Sequence, residues 1–300
     1  MRRARLIAAC LLALAFAGCG DSGAGEPAQQ ADRSDRLVDL SAKPPLVNGL
    51  DVDPESGDYL LTTNKGFFRI DPKTEEVTPI EGTVSSGGVE STVGTFLFVH
   101  VEADGTMIGS GHPDQNTLPQ YLGFIESKDG GRTWTVLSRL GEADLHKIID
   151  AHDRLYAWDA VLSALLISTD RGKTFTENFT PRGLIIDFAV DPENPDVIVA
   201  SNDDQLFHTE DAGAAWRPVL GGEGIRLAWT DADKLYRADK DGRFYVSADG
   251  GQSFNEVGRL EGEPYKIHPL GPQELLVALS DGTIVKTSDG GKSWITEFKP

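Results

Sequence analysis

The sequence predicts an all-β chain folded as a six-bladed β-propeller with four-stranded blades. Two observations carry that expectation. An eight-residue pattern recurs five times at intervals of 38 to 41 residues, at Ser127–Trp134, Ser168–Phe175, Thr209–Trp216, Ser247–Phe254 and Thr287–Trp294. Self-similarity at about 40 residues, with strand-like patterning between the copies, is what four-stranded blades produce. The chain also holds 33 Gly and 16 Pro, without the three-residue period of collagen. Such a density of turn formers suits a chain that reverses direction often.

Taken from the N-terminus, Met1-Arg2-Arg3-Ala4-Arg5 is a basic segment followed by a short apolar run, Leu6 to Ala17. The run is too short to span a bilayer and reads as a secretory signal over residues 1–18. Small residues before Cys19 resemble the lipobox of bacterial lipoproteins, with Phe16 where Leu is usual. The resemblance implies cleavage before Cys19 and lipidation there; the plainer alternative is a secretory signal with a chance cysteine. Residues 19–37 are small, polar and aperiodic, a flexible tether. Cys10 lies in the leader, so the mature chain keeps one cysteine and has no intrachain disulfide.

Net charge is −19, and removing the three leader arginines makes it −22. That balance excludes phosphate-backbone binding, so nucleic acid is not an expected partner. It also opposes direct contact with anionic headgroups, leaving the lipid as the expected anchor to the bacterial cell membrane, with the domain extracytoplasmic.

Residues 38–300 form the propeller. In the fourth blade, Ile185 to Val190 would be innermost, Val197 to Ala200 second, Gln205 to His208 third and Trp216 to Val219 outermost. Leu50 to Pro54, Tyr59 to Leu61 and Gly66 to Ile70 repeat this layout ahead of the first motif, and make a degenerate first blade. Blade limits are then 46–82, 83–141, 142–181, 182–221, 222–261 and 262–300. The second is longest because of an insertion around Gly111 to Tyr121. Leu37 to Leu40 could pair with the last blade to close the ring.

The five recurring segments match S/T-x-D-x-G-x-T/S-W/F and resemble the Asp-box, or bacterial neuraminidase repeat; the third copy departs with Ala215. The expected role is structural. Asp129, Asp170, Asp211, Asp249 and Asp289 would accept turn N–H groups. Gly131, Gly172, Gly213, Gly251 and Gly291 would permit positive φ, and Trp134, Phe175, Trp216, Phe254 and Trp294 would pack between sheets. The resemblance places these turns away from the ligand face.

That face comprises the loops between blades and between second and third strands. It should carry His112 and Asp114 from the insertion, His146 at the start of the third inner strand, and Asp187 and Arg226 on the channel wall. The expectation is that His112 and Asp114 stabilise their own loop and His146 is a satisfied strand-end residue, with no cofactor; the alternative makes His112, Asp114 and His146 ligands for Zn or Cu. Asp51/Asp53 and Asp203/Asp204 lack the spacing of a calcium loop and read as solvated turns. The G-H-P-D segment at Gly111–Asp114, Pro119 to Gly123 and Asp144-Leu145-His146 resemble a family of secreted bacterial propeller lipoproteins. That family is often labelled glycosyl hydrolase without an established activity. Its usual H-x-H-G is Leu46-Val47-Asn48-Gly49 here.

Sialidases clamp a substrate carboxylate with three arginines and use a Tyr nucleophile with a Glu partner. The inner strands supply Arg226, and Arg182 lies on a loop. Phe68-Arg69-Ile70-Asp71 falls on a third strand, and Tyr265 has no evident Glu. Sortilin-type receptors and photosystem assembly factors show that related propellers bind without catalysis. The expectation is therefore a monomeric, non-catalytic binding or scaffold module for a protein or glycan. The alternatives are a sialidase-like glycoside hydrolase and a metal-binding lipoprotein.

Overall fold

The computed structural model describes residues 45–179, 184–219 and 225–300. The leader, Cys19, the tether, Leu37 to Leu40 and Arg182 lie outside the described residues. Among those described, every regular element is a strand, and no helix is long and apolar enough to cross a membrane.

Each blade is contiguous in sequence. Blade one is β1 (Val47–Val52), β2 (Tyr59–Thr63), β3 (Gly66–Ile70) and β4 (Val77–Ile80), antiparallel in that order. Blade two contains β5 (Gly82–Ser86), β6 (Val89–Val93), β7 (Leu97–Val101), β8 (Met107–Gly111), β9 (Phe124–Ser127) and β10 (Thr133–Ser138). Blade three is β11 (Leu145–Ala151), β12 (Arg154–Asp159), β13 (Ala164–Ser168) and β14 (Thr176–Phe179). Blade four is β15 (Asp187–Val190), β16 (Ile198–Ser201), β17 (Leu206–Thr209) and β18 (Arg217–Val219). Blade five is β19 (Arg226–Asp231), β20 (Lys234–Ala238), β21 (Arg243–Ser247) and β22 (Asn255–Arg259). Blade six is β23 (Pro264–Pro269), β24 (Leu275–Leu279), β25 (Ile284–Thr287) and β26 (Ile295–Phe298).

The result is the six-bladed propeller expected, with one correction in blade two. Its sheet has six strands, because the β5–β6 hairpin adds to the outer edge and β5 runs parallel to β10. The 112–123 loop therefore accounts for only part of the extra length. The hairpin covers the β10 edge, which would otherwise present unpaired backbone groups.

Burial follows position in the blade. Second strands such as β2, β8, β16 and β24 are buried at every residue, since neighbouring blades cover both faces. Outer strands such as β18 and β22 have no buried residue. The ring closes by packing: Val47, Leu61, Phe68 and Ile70 of blade one share a core with Leu276, Ile284 and Phe298 of blade six. The Tyr59 hydroxyl donates to Glu297 Oε2 at 2.8 Å across the same seam.

The five recurring turns share one hydrogen-bond scheme. In the second, Ser168 Oγ donates to Asp170 Oδ1 at 2.8 Å, while the Thr174 N–H and hydroxyl reach the two Asp170 oxygens at 2.9 and 2.6 Å. These donors stabilise the carboxylate and hold Asp170 down to about 2, with Asp289 similarly at about 2. At Ala215 the N–H still donates to Asp211 at 2.8 Å, but the hydroxyl donor is missing. The turns also join blades. Gly172 has φ +77° and presses on Phe124 of blade two, whose ring makes an edge contact with Phe175 at 5.8 Å. Trp294 meets Phe244 of blade five in the same manner at 5.0 Å.

Candidate functional site

Strand direction fixes which loops share a face. Inner strands begin at the face holding the inter-blade links and the loops between second and third strands; the five recurring turns lie at the other end. Inner strands of all six blades surround an axial cavity of about 370 Å³. Phe98, Ile148, Val190 and Trp229 make its wall apolar, and several ionisable groups interrupt that wall.

On the inter-blade-link face, His112 and His146 do converge, but on Asp144. His146 Nε2 lies 3.0 Å and His112 Nε2 3.4 Å from Asp144 Oδ2. Burial opposes the Asp144 charge, yet the two imidazoles hold its carboxyl well below the usual range. The hydrogen bond to Asp144 raises His112 above its ordinary value. Asp114 does not join this group: it is exposed and bonded to the Thr95 N–H and hydroxyl. The candidate His112–Asp114–His146 set is thus corrected to a histidine pair sharing a different carboxylate. Both nearest ring nitrogens are spent on that one oxygen, and no metal-holding group of three or more such residues occurs among the described residues.

Deeper along the wall, two aspartates act as latches between inner strands. Asp187 accepts the N–H of Phe188 at 2.8 Å and that of Leu227 in the next blade at 3.0 Å, and it pairs with Lys147. Asp51 repeats the scheme, accepting Val52 N–H at 2.8 Å and Val101 N–H in the next blade at 3.0 Å. Its cationic neighbours are His100 at 3.0 Å and His268 at 3.5 Å. Asp51 is therefore no solvated turn residue, which corrects that expectation; a buried carboxylate was needed where inner strands splay and their edge N–H groups lack a neighbour. Burial opposes its charge, but His268 and His100 hold the carboxyl below its ordinary value. The bond to Asp51 raises His100 despite burial, whereas burial lowers His268. Asp53 does sit at a turn, paired with Arg69 at 2.8 Å, and exposed Asp203 pairs with Lys240 at 2.7 Å.

Lys266, two residues before His268 on β23, also lines the cavity. Its Nζ lies 5.7 Å from the centre of Phe98, whose other neighbour is the stacked His146 ring at 4.4 Å. No described carboxylate is within ion-pair distance of Lys266. Burial, with Arg226 and Lys147 nearby, pushes its ammonium down to about 7. Arg226 donates to Pro264 O at 3.3 Å and stands over the Tyr265 ring at 5.1 Å, likewise without a carboxylate partner among the described residues. Sequence reasoning found Arg226, Asp187 and the His112–His146 pair, but missed Lys147, Lys266, His100 and His268. The available signal was ionisable residues inside short apolar strands, as in Leu145–Ala151 and Pro264–Pro269. Bulges at His146 and Tyr265 shift the alternation there, which hides which side chains face inward.

Five large apolar side chains are exposed on the face that holds the inter-blade links: Leu46, Phe96, Val161, Leu162 and Leu184, 39% to 61% accessible. A larger cleft of about 880 Å³ lies at the opposite face, between blades one and two. Arg69, Lys128 and Asp129 in its wall are already paired or tied into a turn.

Six radial sheets around an axial cavity define the chain as a β-propeller. No family model matches it. The photosystem II assembly lipoprotein Ycf48 of Synechococcus sp. (strain CC9902) is 34% identical over 106 residues, 32% of this chain and 32% of that protein. A probable oligoxyloglucan-reducing end-specific xyloglucanase of Neosartorya fischeri is 31% identical over 99 residues, 27% of this chain and 12% of the enzyme. Both matches thus span a third or less of these relatives. The solved structure of YCF48 bound to D1 peptide aligns with TM-score 0.54 at 16% identity, covering 85% of this chain and 83% of that one, a likeness of fold.

Proposed function

We propose that this chain is a non-catalytic propeller lipoprotein that binds a segment of a partner protein at its channel face. In this reading it is anchored through Cys19 outside the bacterial cell membrane, and its five recurring turns are Asp-boxes serving the scaffold. The observation that carries the reading is that Leu46, Phe96, Val161, Leu162 and Leu184, exposed and apolar, all fall on the face that holds the inter-blade links. Exposed apolar side chains collected on one polar-rimmed face mark a protein-binding surface. The partial match to Ycf48, and the similarly folded YCF48 with D1 peptide bound, support the same class of role.

Glycoside hydrolysis is the second reading, favoured by the partial match to a xyloglucanase. It requires two carboxyl groups free to act as acid and as nucleophile or base. Asp51, Asp144, Asp150 and Asp187, the described carboxylates along the channel and beside its histidine pair, each face a basic side chain. That disposition favours binding over hydrolysis.

The test is purification of the full-length chain from its native membranes in mild detergent, with mass spectrometry of what accompanies it. A near-stoichiometric protein that is lost from a Phe96→Ser, Leu184→Ser double variant is the expected result. A partner retained by that folded variant, or turnover of xyloglucan or sialoside by the pure protein, refutes the reading.

A further inference from the structure

The channel holds more cations than it has carboxylates at ion-pair distance. Lys147 is matched by Asp187, and the His112–His146 pair by Asp144. At the far end of the channel, Asp51 is matched by His100 and His268. Arg226 and Lys266 remain, on adjacent inner strands β19 and β23, beside each other and without a described carboxylate at ion-pair distance. Two neighbouring cations set against an apolar wall are costly to keep apart from a counter-ion. A chain of net charge −19 has acidic residues to spare, yet the acidic groups that act on this pair, Asp187 above all, stand beyond ion-pair distance, and Asp187 is already taken by Lys147.

We infer that the cavity beside Lys266, within the field of the neighbouring Arg226, receives one carboxylate of a bound peptide. This deepens the partner-binding reading and rests on it. Arg226, held by Pro264 O and the Tyr265 ring, supplies a fixed, permanent positive charge. Lys266 supplies the adjustable charge. An ammonium held near its midpoint by burial and by like charges is driven to the protonated form when an anion arrives beside it. Phe98 and Ile148 offer apolar contact for the rest of the segment. One anion and one proton enter together, so the remaining Lys147–Asp187 and Asp51–His100–His268 groups need no rearrangement.

The test uses three acetylated leucine–alanine peptides of equal length with the full-length chain. One ends in a free carboxylate, one is amidated with a central glutamate, and one is amidated and neutral. Titration calorimetry at pH 7 in two buffers of different ionisation enthalpy measures affinity and proton uptake together. The expected result is that a carboxylate peptide binds at least 10-fold more tightly than the neutral one. It takes up roughly half a proton, as a group titrating about 7 requires. Which carboxylate peptide does so separates a chain terminus from an acidic side chain. Arg226→Met and Lys266→Met each lose about that 10-fold, and Lys266→Met also abolishes proton uptake. Equal binding of all three peptides overturns the inference, as does uptake that persists in a folded Lys266→Met variant. A membrane partner recovered equally by both variants sinks the carboxylate subsite and leaves partner binding standing. Carboxylate selectivity without any recoverable partner sinks the partner reading instead.

Discussion

Gly172→Ala isolates the contact by which one blade is keyed to the next. A Cβ on Gly172 would stand 2.1 Å from Phe124 Cε1 and 2.4 Å from its Cδ1. Phe124 is fully buried and held by Phe175, so its ring has no open space to swing into. The backbone adds a second cost, since φ is +77° and L residues lose about 1–2 kcal/mol there. Overpacking a rigid core adds about 1–3 kcal/mol. The sum is about 2–5 kcal/mol, or roughly 4–20 °C in melting temperature for a domain of this size. Gly57→Ala is the internal control: its φ is +79°, but a Cβ there meets nothing within 4 Å. It carries the backbone cost alone. Thermal and urea unfolding of the two variants beside the parent separate the terms. If Gly172→Ala is no less stable than Gly57→Ala, the turn does not key blade three onto blade two and the packing argument fails.

Further expectations concern the channel and the third turn. The Lys266 ammonium titrates at about 7 when folded against 10.5 ordinarily, so the unfolded chain binds the extra proton in that window. Stability therefore rises between about pH 7 and pH 10 through this group, and Lys266→Met flattens that part of a urea-midpoint profile. Asp51→Asn leaves His100 and two strand N–H groups with a weaker acceptor; a loss of about 3 kcal/mol is expected by urea unfolding at pH 6. The sign follows from both partners. The lowered Asp51 contributes above the usual carboxylate range and is lost on acidification, whereas the raised His100 contributes below its ordinary 6.5 and is lost as pH rises. The penalty of Asp51→Asn thus shrinks at both extremes. Ala215→Thr supplies the hydroxyl that the other four turns use, and raises the melting temperature by less than Gly57→Ala lowers it.

The repeats were legible because each records a local requirement: a carboxylate two residues past a hydroxyl, a glycine, then an aromatic residue, all within eight positions. The buried second strands were legible too, as in Leu275–Leu279, because burial on both faces leaves an unbroken apolar run. Blade number and strand order followed from these local signs. The β5–β6 hairpin was not legible, since pairing β5 parallel to β10 joins segments about 50 residues apart with no periodic mark.

The channel was decided by tertiary structure alone. Asp144 rather than Asp114 holds the two histidines because the insertion loop folds back over β11, a matter of long-range packing rather than spacing. Asp51 meets His100 across the seam with blade two, and His268 only because ring closure brings blade six beside blade one. Arg226 and Lys266 become neighbours only where adjacent inner strands converge on the axis. Local hydrogen bonds and apolar burial are written within a few residues, so the chain's own order specifies the blades. The electrostatics of the axis arise between residues up to 217 positions apart, and only the closed ring sets which charges meet.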